Sequence, residues 1–513
     1  MTKIHCSLAA LAVTAVALSP LARAQQAQGI PGPQGTHTEN GLAGYAKILC
    51  SGVFVSGRAP EDVARGSAYF FMPAAEQDGV KWTVDRDARL ARASLGGITR
   101  EARYYGDQGC IIHNPQKPGL HFKPADVRTK LPAADSQPWP MGDRAENLTA
   151  SAGVDRAKLD AAADAAFADA AAMTAAFLVV HKGRIVVERY APGITRDTQL
   201  ESWSMGKSLA ATLFALLVRD GTYSLEQPAP VPLWRGPGDP RGAIRNIDLL
   251  RMSAGLRFLG NQEPGSTQTY PDHYYIYTGG IDAFEYSITR PQEYPPNTDG
   301  RYRNSDPLTI AYLIKKAVTE RGQNILTWPQ QALFDRIGIR RQVLETDPYG
   351  NFLISGYDYG TARNWARIGL LYLADGMWQG QRLLPEGWTA FVSTPAPAWK
   401  RPEYGGFFWL NRIKQWNLPE TAYFAAGAGG QNTWIVPSHD LVIVRMGHMR
   451  GQGPARRATN TALGLVMDAV ATNPQAGQNL TPTPTLTWLT SKPSLPRENA
   501  DAIAPSARMR LYR

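Results

Sequence analysis

The stretch at residues 201–212, ESWSMGKSLAAT, places Ser204 three residues before Lys207 at the start of an apolar run. Residues three apart on a helix are neighbours, about 5–6 Å between Cβ atoms, so the lysine can reach the serine hydroxyl. A serine in the first helical turn lies near unpaired N–H groups that favour negative charge. If burial or a nearby cation lowers the lysine pKa, its neutral amine can take the serine proton. We therefore predict a serine nucleophile. The alternative is a helix-capping serine followed by a solvated lysine.

A second motif lies about 95 residues further on, in PPNTDGRYRNSDPLTIAYLI (residues 295–314). Tyr302 stands just before an apolar helix, where it can relay protons with Lys207 if the lysine charge lowers the tyrosine pKa. Asn304 can hold the lysine or an acyl carbonyl. The alternative is a turn tyrosine that packs on the core.

A third motif is FAAGAGGQNTWIVP (residues 424–437), in which small residues lead into a strand. A sheet edge that approaches a substrate through its backbone needs glycine or alanine there, which is why we expect Gly427 to contact substrate. The N–H of Ala428 can pair with that of Ser204 as an oxyanion hole. The alternative is a plain loop into a strand.

In this order the three motifs resemble those of serine β-lactamases and penicillin-binding proteins. The resemblance covers about residues 150–472 and is closest to the class C β-lactamase-like hydrolases, in particular the family VIII esterases and the 6-aminohexanoate-dimer hydrolases. It implies that Ser204 is acylated, that Lys207 and Tyr302 share the acid/base role, and that the N–H groups of Ser204 and Ala428 form the oxyanion hole.

The third motif departs from the usual pattern of the β-lactamases. They usually have Lys-Thr-Gly at this point, where this chain has Ala425-Ala426-Gly427 without a charge. The departure weakens a β-lactamase or peptidase interpretation and resembles the esterase and amidohydrolase branches.

The dimer hydrolases carry a tyrosine-containing loop that contacts the substrate amide. QTYPDHYYIYTGG (residues 268–280) occupies that stretch here, with Tyr270 and Asp272 as the nearest match. Other residues of the same region can equally wall the pocket: Trp203, Tyr274, Tyr275 and Tyr277.

The fold class that we expect is α/β (α+β) and β-lactamase/transpeptidase-like. It has an antiparallel sheet built from distant segments and flanked by helices, together with a helical subdomain and an N-terminal accessory segment. Two hairpins are predicted, at residues 176–190 and 433–447, with helices at 155–167, 244–256 and 456–471. The predicted organisation is a signal peptide at 1–24, a disordered segment at 25–44, an accessory region of short strands at 45–123, a linker at 124–150, the hydrolase domain at 151–473 and an extended tail at 474–513.

The first residues, MTKIHCSLAALAVTAVALSPLARAQQ, have the charge, the short apolar stretch and the small-x-small site of a secretory signal that is cut after Ala24. We therefore predict a periplasmic or secreted protein without stable membrane insertion, the alternative being a membrane anchor. In an exported chain Cys50 and Cys110 favour one disulfide, and the alternative is two free buried thiols. The net charge of +10 is spread along the chain, which gives nucleic-acid binding little support.

The expected activity is hydrolysis of a small-molecule ester or amide through an acyl-enzyme, without a cofactor. The eight histidines show no zinc-site spacing, so no metal is expected. Three alternatives remain: β-lactamase or D-Ala-D-Ala peptidase-like activity, a non-catalytic cell-wall peptide-binding protein on the same scaffold, and a cationic surface-binding protein. The sequence leaves the oligomeric state open.

Overall fold

The computed structural model describes residues 32–144, 154–261, 263 and 265–470 of the chain. The predicted signal peptide at residues 1–24 and the tail at 474–513 lie outside the described residues. Within the described ranges, no helix is long and apolar enough to cross a bilayer.

The N-terminal region begins with helix α1, His37–Phe54. A capping box starts it: the Thr36 hydroxyl accepts from the N–H of Glu39, and the Glu39 carboxylate accepts from the N–H of Thr36. The prediction of disorder up to residue 44 is therefore wrong for residues 37–44, because the cap and a buried face stabilise a helix there. Residues 53–57, VFVSG, belong to the region of predicted short strands at 45–123, but they form the end of this helix and the turn after it.

A short helix and a four-stranded antiparallel sheet follow α1. Their bounds are α2 Pro60–Gly66, β1 Lys81–Asp85, β2 Leu90–Leu95, β3 Ile98–Tyr104 and β4 Cys110–Ile112. The predicted disulfide is confirmed: Cys50 on α1 is bonded to Cys110 on β4. It ties the helix to the edge of the small sheet.

The main sheet has six antiparallel strands. They are β5 Thr174–His181, β6 Arg184–Tyr190, β12 Trp409–Leu410, β13 Tyr423–Gly427, β14 Gln431–Val436 and β15 Leu441–Gly447. Their order across the sheet is β12-β13-β14-β15-β5-β6. Both predicted hairpins are confirmed, as β5–β6 and β14–β15. The first turns at Lys182 and Gly183, which both have positive φ, as a tight two-residue hairpin needs.

Helices cover both faces of this sheet, which is why its central strands are apolar on both sides. One face packs against the helices Arg156–Ala168 and Gln452–Ala469, and the opposite face packs against the helices Met205–Arg219 and Ala362–Leu373. The remaining helices and short strands are α3 Arg156–Ala168, β7 Leu200–Glu201, α4 Met205–Arg219, α5 Asn246–Leu250, α6 Asp272–Thr278, α7 Ala283–Ile288, α8 Ser305–Glu320, β8 Val343–Leu344, β9 Asp358–Gly360, α9 Ala362–Leu373, β10 Met377–Trp378, β11 Gln381–Arg382, α10 Trp388–Ser393 and α11 Gln452–Ala469.

The helix predictions hold unevenly. Asp155 caps α3 as expected, accepting from the N–H of Lys158 at 3.2 Å. The helix expected over residues 244–256 is shorter, because the chain leaves helical geometry at Met252, where φ is 55°. The last helix, expected at 456–471, begins about one turn earlier and ends at Ala469.

Candidate active site

Ser204 lies at the N-cap of α4, and the helix behind it is buried along nearly its whole length. Apolar residues all around a helix are typical of a core element, so α4 gives the serine a rigid base. Gly206 lets the chain at Ile354 and Asp358 lie directly against the first turn, because a Cβ at Gly206 would collide with the Ile354 carbonyl oxygen. Ser204 itself is only half-buried, so a ligand can reach it.

Lys207 meets Ser204 as the three-residue spacing predicts. Its Nζ is 2.8 Å from Ser204 Oγ and donates a second hydrogen bond of 2.7 Å to the carbonyl oxygen of Ser355. The side chain is 1% exposed. Burial lowers the pKa of Lys207 well below its ordinary value, and the nearby charge of Asp358 opposes this only in part. The amine is thereby poised to act as a base.

Tyr302 lies over the same amine, with Lys207 Nζ 4.8 Å from the centre of its ring. Burial raises the pKa of Tyr302, while a hydrogen bond with Ser204 lowers it to a smaller extent. The net shift is upward, opposite to the direction expected from the sequence, because the desolvation of the phenol outweighs any nearby positive charge. Tyr302 is therefore a neutral phenol that can donate a proton.

Asn304 is fully buried at the N-cap of α8. Its Nδ2 donates to the carbonyl oxygen of His273 at 3.0 Å, and its Oδ1 has no partner among the described residues. Tyr277 lies beside it and donates to Ser355 Oγ at 2.8 Å. Tyr277 thus connects Asn304 with Ser355, whose carbonyl oxygen accepts a hydrogen bond from Lys207.

The end of β13 lies directly against Ser204 and the residues before it. A Cβ at Gly427 would collide with the carbonyl oxygen of Ser202 and would lie 3.1 Å from the backbone nitrogen of Ser204. Ala428, the next residue, is half-buried. The small residues of the third motif therefore bring the backbone of Gly427 beside the N–H of Ser204, and Ala428 follows it directly in the chain.

Arg445 on β15 holds the turn that follows Ala428. Its fully buried guanidinium donates to the carbonyl oxygens of Gly429 at 2.6 Å and Gly430 at 3.1 Å. From the other side, the N–H of Gly429 donates to Gln452 Oε1 at 2.8 Å. Sequence reasoning missed Arg445, although a charged residue inside the buried run VIVRM is a signal of such a role.

Tyr270 and Asp272, predicted to bind substrate, make internal contacts. Asp272 accepts from the N–H of Leu259 at 2.7 Å and from the Tyr286 hydroxyl. The Tyr270 hydroxyl accepts from Thr278 at 3.3 Å. These contacts fix the loop before α6, and a role of either residue in binding substrate stays a prediction.

Two further residues lie close to Tyr302 and Ser204: His273, to which the sequence gives no role, and Trp203, which it places among the residues that can wall the pocket. His273 contacts the Tyr302 ring at 6.1 Å between centres; burial, helped by the charge of Lys207, lowers its pKa to about 3. Trp203 precedes Ser204 in the left-handed region, with φ of 50°, and is 3% exposed. His273 is thus a neutral neighbour, and Trp203 turns the chain into α4.

Asp358 is a buried carboxyl group near Lys207. Burial raises its pKa to about 8, and hydrogen bonds from Gln342 and Ser202 oppose the shift.

Over the described ranges, no group of three or more His, Cys, Asp or Glu side chains is arranged to hold a metal ion.

This chain is similar to known proteins in sequence and in structure. The sequence model of the beta-lactamase family matches residues 159–467. The 6-aminohexanoate-dimer hydrolase of Paenarthrobacter ureafaciens is 24% identical over 313 residues, which are 53% of this chain and 72% of that protein.

Solved structures are also similar. A penicillin-binding protein homologue from Caulobacter crescentus gives a TM-score of 0.48 at 17% identity, over 61% of this chain and 99% of that one. A family VIII carboxylesterase gives a TM-score of 0.45 at 14% identity, over 60% of this chain and 97% of that one. The family match confirms the resemblance drawn from the three motifs and the expected fold class.

Proposed function

Because the chain belongs to the beta-lactamase family, we propose that it is a serine hydrolase that cleaves an ester or amide through an acyl-enzyme on Ser204. The observation that carries the proposal is the 2.8 Å contact between Lys207 Nζ and Ser204 Oγ at the start of a buried helix. Burial holds this amine in a state from which it can accept the serine proton.

In the first step Ser204 Oγ attacks the carbonyl carbon of the substrate and its proton passes to the neutral amine of Lys207. The carbonyl oxygen takes up the negative charge, which the N–H groups of Ser204 and Ala428 stabilise. Donors fixed in advance at such a position are commonly worth about 10²–10³ in rate each. The contact of Gly427 with the Ser204 backbone supports this arrangement.

In the second step the bond between the carbonyl carbon and the leaving group breaks. The neutral phenol of Tyr302 gives its proton to the leaving group and recovers one from the Lys207 ammonium. Water then attacks the acyl-enzyme with the same groups in reverse, which releases the acid and restores Ser204. The raised pKa of Tyr302 supports its role as the acid.

The substrate is uncharged near the third motif. Ala425, Ala426 and Gly427 offer no cation for a carboxylate, and this favours simple esters and amides over β-lactams. The matched relative is named for the hydrolysis of a 6-aminohexanoate dimer, so that amide belongs in the substrate panel beside aryl and alkyl esters.

The site of action that we propose is the periplasm or the exterior of the cell, after cleavage behind Ala24. The disulfide between Cys50 and Cys110 supports this, because such bonds persist in oxidising compartments. The intact mass of the protein recovered from culture medium or periplasm tests it. A chain that begins at residue 25 is expected, and an uncut chain in the cytosolic fraction would contradict export.

Intact mass after exposure to a fluorophosphonate probe tests the acyl-enzyme. We expect a single adduct that is absent in Ser204→Ala and forms more slowly in Tyr302→Phe. Ser136→Ala is the matched control, because this exposed serine bonds only to the carbonyl oxygen of Ala133 among the described residues. A folded wild type that stays unmodified would replace the proposal with a non-catalytic binding protein. If the protein hydrolyses a chromogenic cephalosporin as fast as it hydrolyses an ester, the proposed function becomes that of a β-lactamase.

A further inference from the structure

The N-terminal region reaches the site through a short turn, residues 68–71, which lies outside the family match. The Phe70 ring packs edge-on against Trp203, the residue before the nucleophile, with 4.7 Å between ring centres. It also contacts Tyr274 at 5.7 Å. Phe71, beside it, contacts the same two rings at 6.0 and 5.1 Å.

These two phenylalanines differ in exposure. Phe71 is 4% exposed and supports Trp203 from within the core. Phe70 is half-buried, as are Ser204 and Tyr274, so part of each of these three residues is exposed. Phe70 is therefore available to a ligand, whereas Phe71 is not.

Polar contacts fix this turn in place. Ser67 Oγ, just before it, donates to Glu201 Oε1 at 2.6 Å, and Glu201 precedes the nucleophile by three residues. The Glu201 carboxylate also lies 3.6 Å from the guanidinium of Arg58. In addition, a Cβ at Gly44 on α1 would collide with the Phe71 ring, so the turn packs closely on that helix. Phe70 thus belongs to a fixed wall.

The two side chains that the rings of Phe70 and Phe71 both contact, Trp203 and Tyr274, are aromatic and uncharged. Across the site the Tyr302 ring packs against Trp409, with 5.4 Å between ring centres, and Trp409 is also half-buried. Aromatic walls of this kind bind apolar groups and contribute large contact areas. These rings carry no ionised group that would form an ion pair with a charged part of a substrate.

We propose that Phe70 is a specificity-determining residue that contacts an apolar, uncharged part of the substrate, an aryl or long alkyl group, beside Ser204. The proposal rests on the hydrolase function proposed above and adds a substrate class to it. It also gives the N-terminal region a direct part in substrate selection.

The test compares kcat/KM for p-nitrophenyl phenylacetate and octanoate with that for p-nitrophenyl acetate. In Phe70→Ala we expect the ratio of the bulky to the small ester to fall about 10-fold or more, since loss of an apolar contact typically changes discrimination by about 10- to 200-fold. In Phe70→Leu, which keeps an apolar side chain without the ring, the fall is smaller. If Phe70→Ala does not fold, Phe70→Leu alone decides the matter through the phenylacetate ratio.

Tyr69→Ala is the matched control. It removes an aromatic ring from the same turn, but one that lies against Arg450, 4.3 Å away, and we expect it to leave the ratio unchanged. An unchanged ratio in the Phe70 variants, or an equal fall in Tyr69→Ala, would overturn the proposal. Fluorophosphonate labelling of the wild type distinguishes the role of Phe70 from the proposed hydrolase function. If the wild type is labelled and the substrate ratios are unchanged in the Phe70 variants, only the role of Phe70 is wrong. If the wild type is not labelled, the hydrolase function itself is wrong.

Discussion

The guanidinium of Arg445 donates a 2.6 Å hydrogen bond to the carbonyl oxygen of Gly429, one residue after Ala428. Its other nitrogen donates to the carbonyl oxygen of Ala172 at 2.6 Å and to Thr174 Oγ1 at 3.1 Å. One buried side chain therefore fixes the turn after β13 to the start of β5. The oxyanion donor proposed at Ala428 depends on this bracing.

Arg445→Lys is expected to slow acylation. An ammonium is a point donor and cannot span the four acceptors that the planar guanidinium reaches, so the turn at Ala428 loosens. We expect kcat to fall by about 10- to 100-fold, less than the full loss of an oxyanion donor, with KM little changed. Ester kinetics and the rate of fluorophosphonate labelling measure it.

The control for this variant is Arg189→Lys on β6, where an exposed arginine pairs with Asp164 at 2.5 Å. Its kinetics should match the wild type. A fall in thermal stability of Arg445→Lys without any change in kcat would show that the arginine is structural only.

Gly427→Ala is expected to reduce kcat/KM by about 100-fold or more, in the range of a lost oxyanion donor. The added methyl group would collide with the Ser202 carbonyl oxygen, so β13 must move away from Ser204. Gly236→Ala is the matched control, because its backbone, with φ of −63° and ψ of 147°, suits alanine, and no atom beyond its two chain neighbours lies within 4 Å of a Cβ there. The control should be active and more stable by about 0.4–1 kcal/mol. Equal activity of the two variants would show that the close approach at Gly427 is not needed.

The sequence predicts the parts of the site that local geometry decides. Ser204 and Lys207 meet because residues three apart share a helix face, and the hairpin at Lys182 follows from its turn residues. The upward pKa shift of Tyr302 could not be predicted in this way, since it depends on desolvation by rings from distant segments. The same holds for the contacts of Asp272, whose partner Tyr286 lies on another helix.

The N-terminal region shows why composition alone misleads. Residues 25–44 are polar and rich in glycine and proline, which predicts disorder. The helix that begins at His37 nevertheless forms, because Thr36 and Glu39 cap it and because it is buried from Asn40 to Val53, in part against the small sheet. The burial is a tertiary effect, and no local pattern announces the partner surface.

The pH profile of kcat/KM is expected to show an acid limb that belongs to Lys207. In the proposed mechanism only the neutral amine accepts the Ser204 proton, and burial lowers the pKa of Lys207. Activity is therefore present above that lowered pKa and is lost as the pH falls through it. His273, with a pKa of about 3, is already neutral in this range and cannot produce the limb.

Lys207→Arg tests whether Lys207 acts as a base or only through its positive charge. Arginine keeps the cation but stays protonated at every accessible pH, so kcat/KM should fall by about 10²–10⁴, the usual worth of a general base. The acid limb should also disappear in this variant. An acid limb that persists unchanged in its residual activity would assign the titration to another group.

Lys47→Met is expected to destabilise the fold by about 3–5 kcal/mol, because it leaves a buried carboxylate without its cation. Lys47 on α1 pairs with Glu345, and the two side chains are 1% and 0% exposed. Glu345 also accepts from Ser51 Oγ and from the N–H of Cys110, each at 2.8 Å, so the charge cannot move to solvent. Chemical unfolding measures the loss, and the double variant Lys47→Met, Glu345→Gln should regain part of it since no charge stays buried.

Arg65→Met, which breaks an exposed pair with Asp62, is the matched control and should cost about 0–1 kcal/mol. A loss in Lys47→Met no larger than in the control would mean that the N-terminal helix is not anchored through this pair.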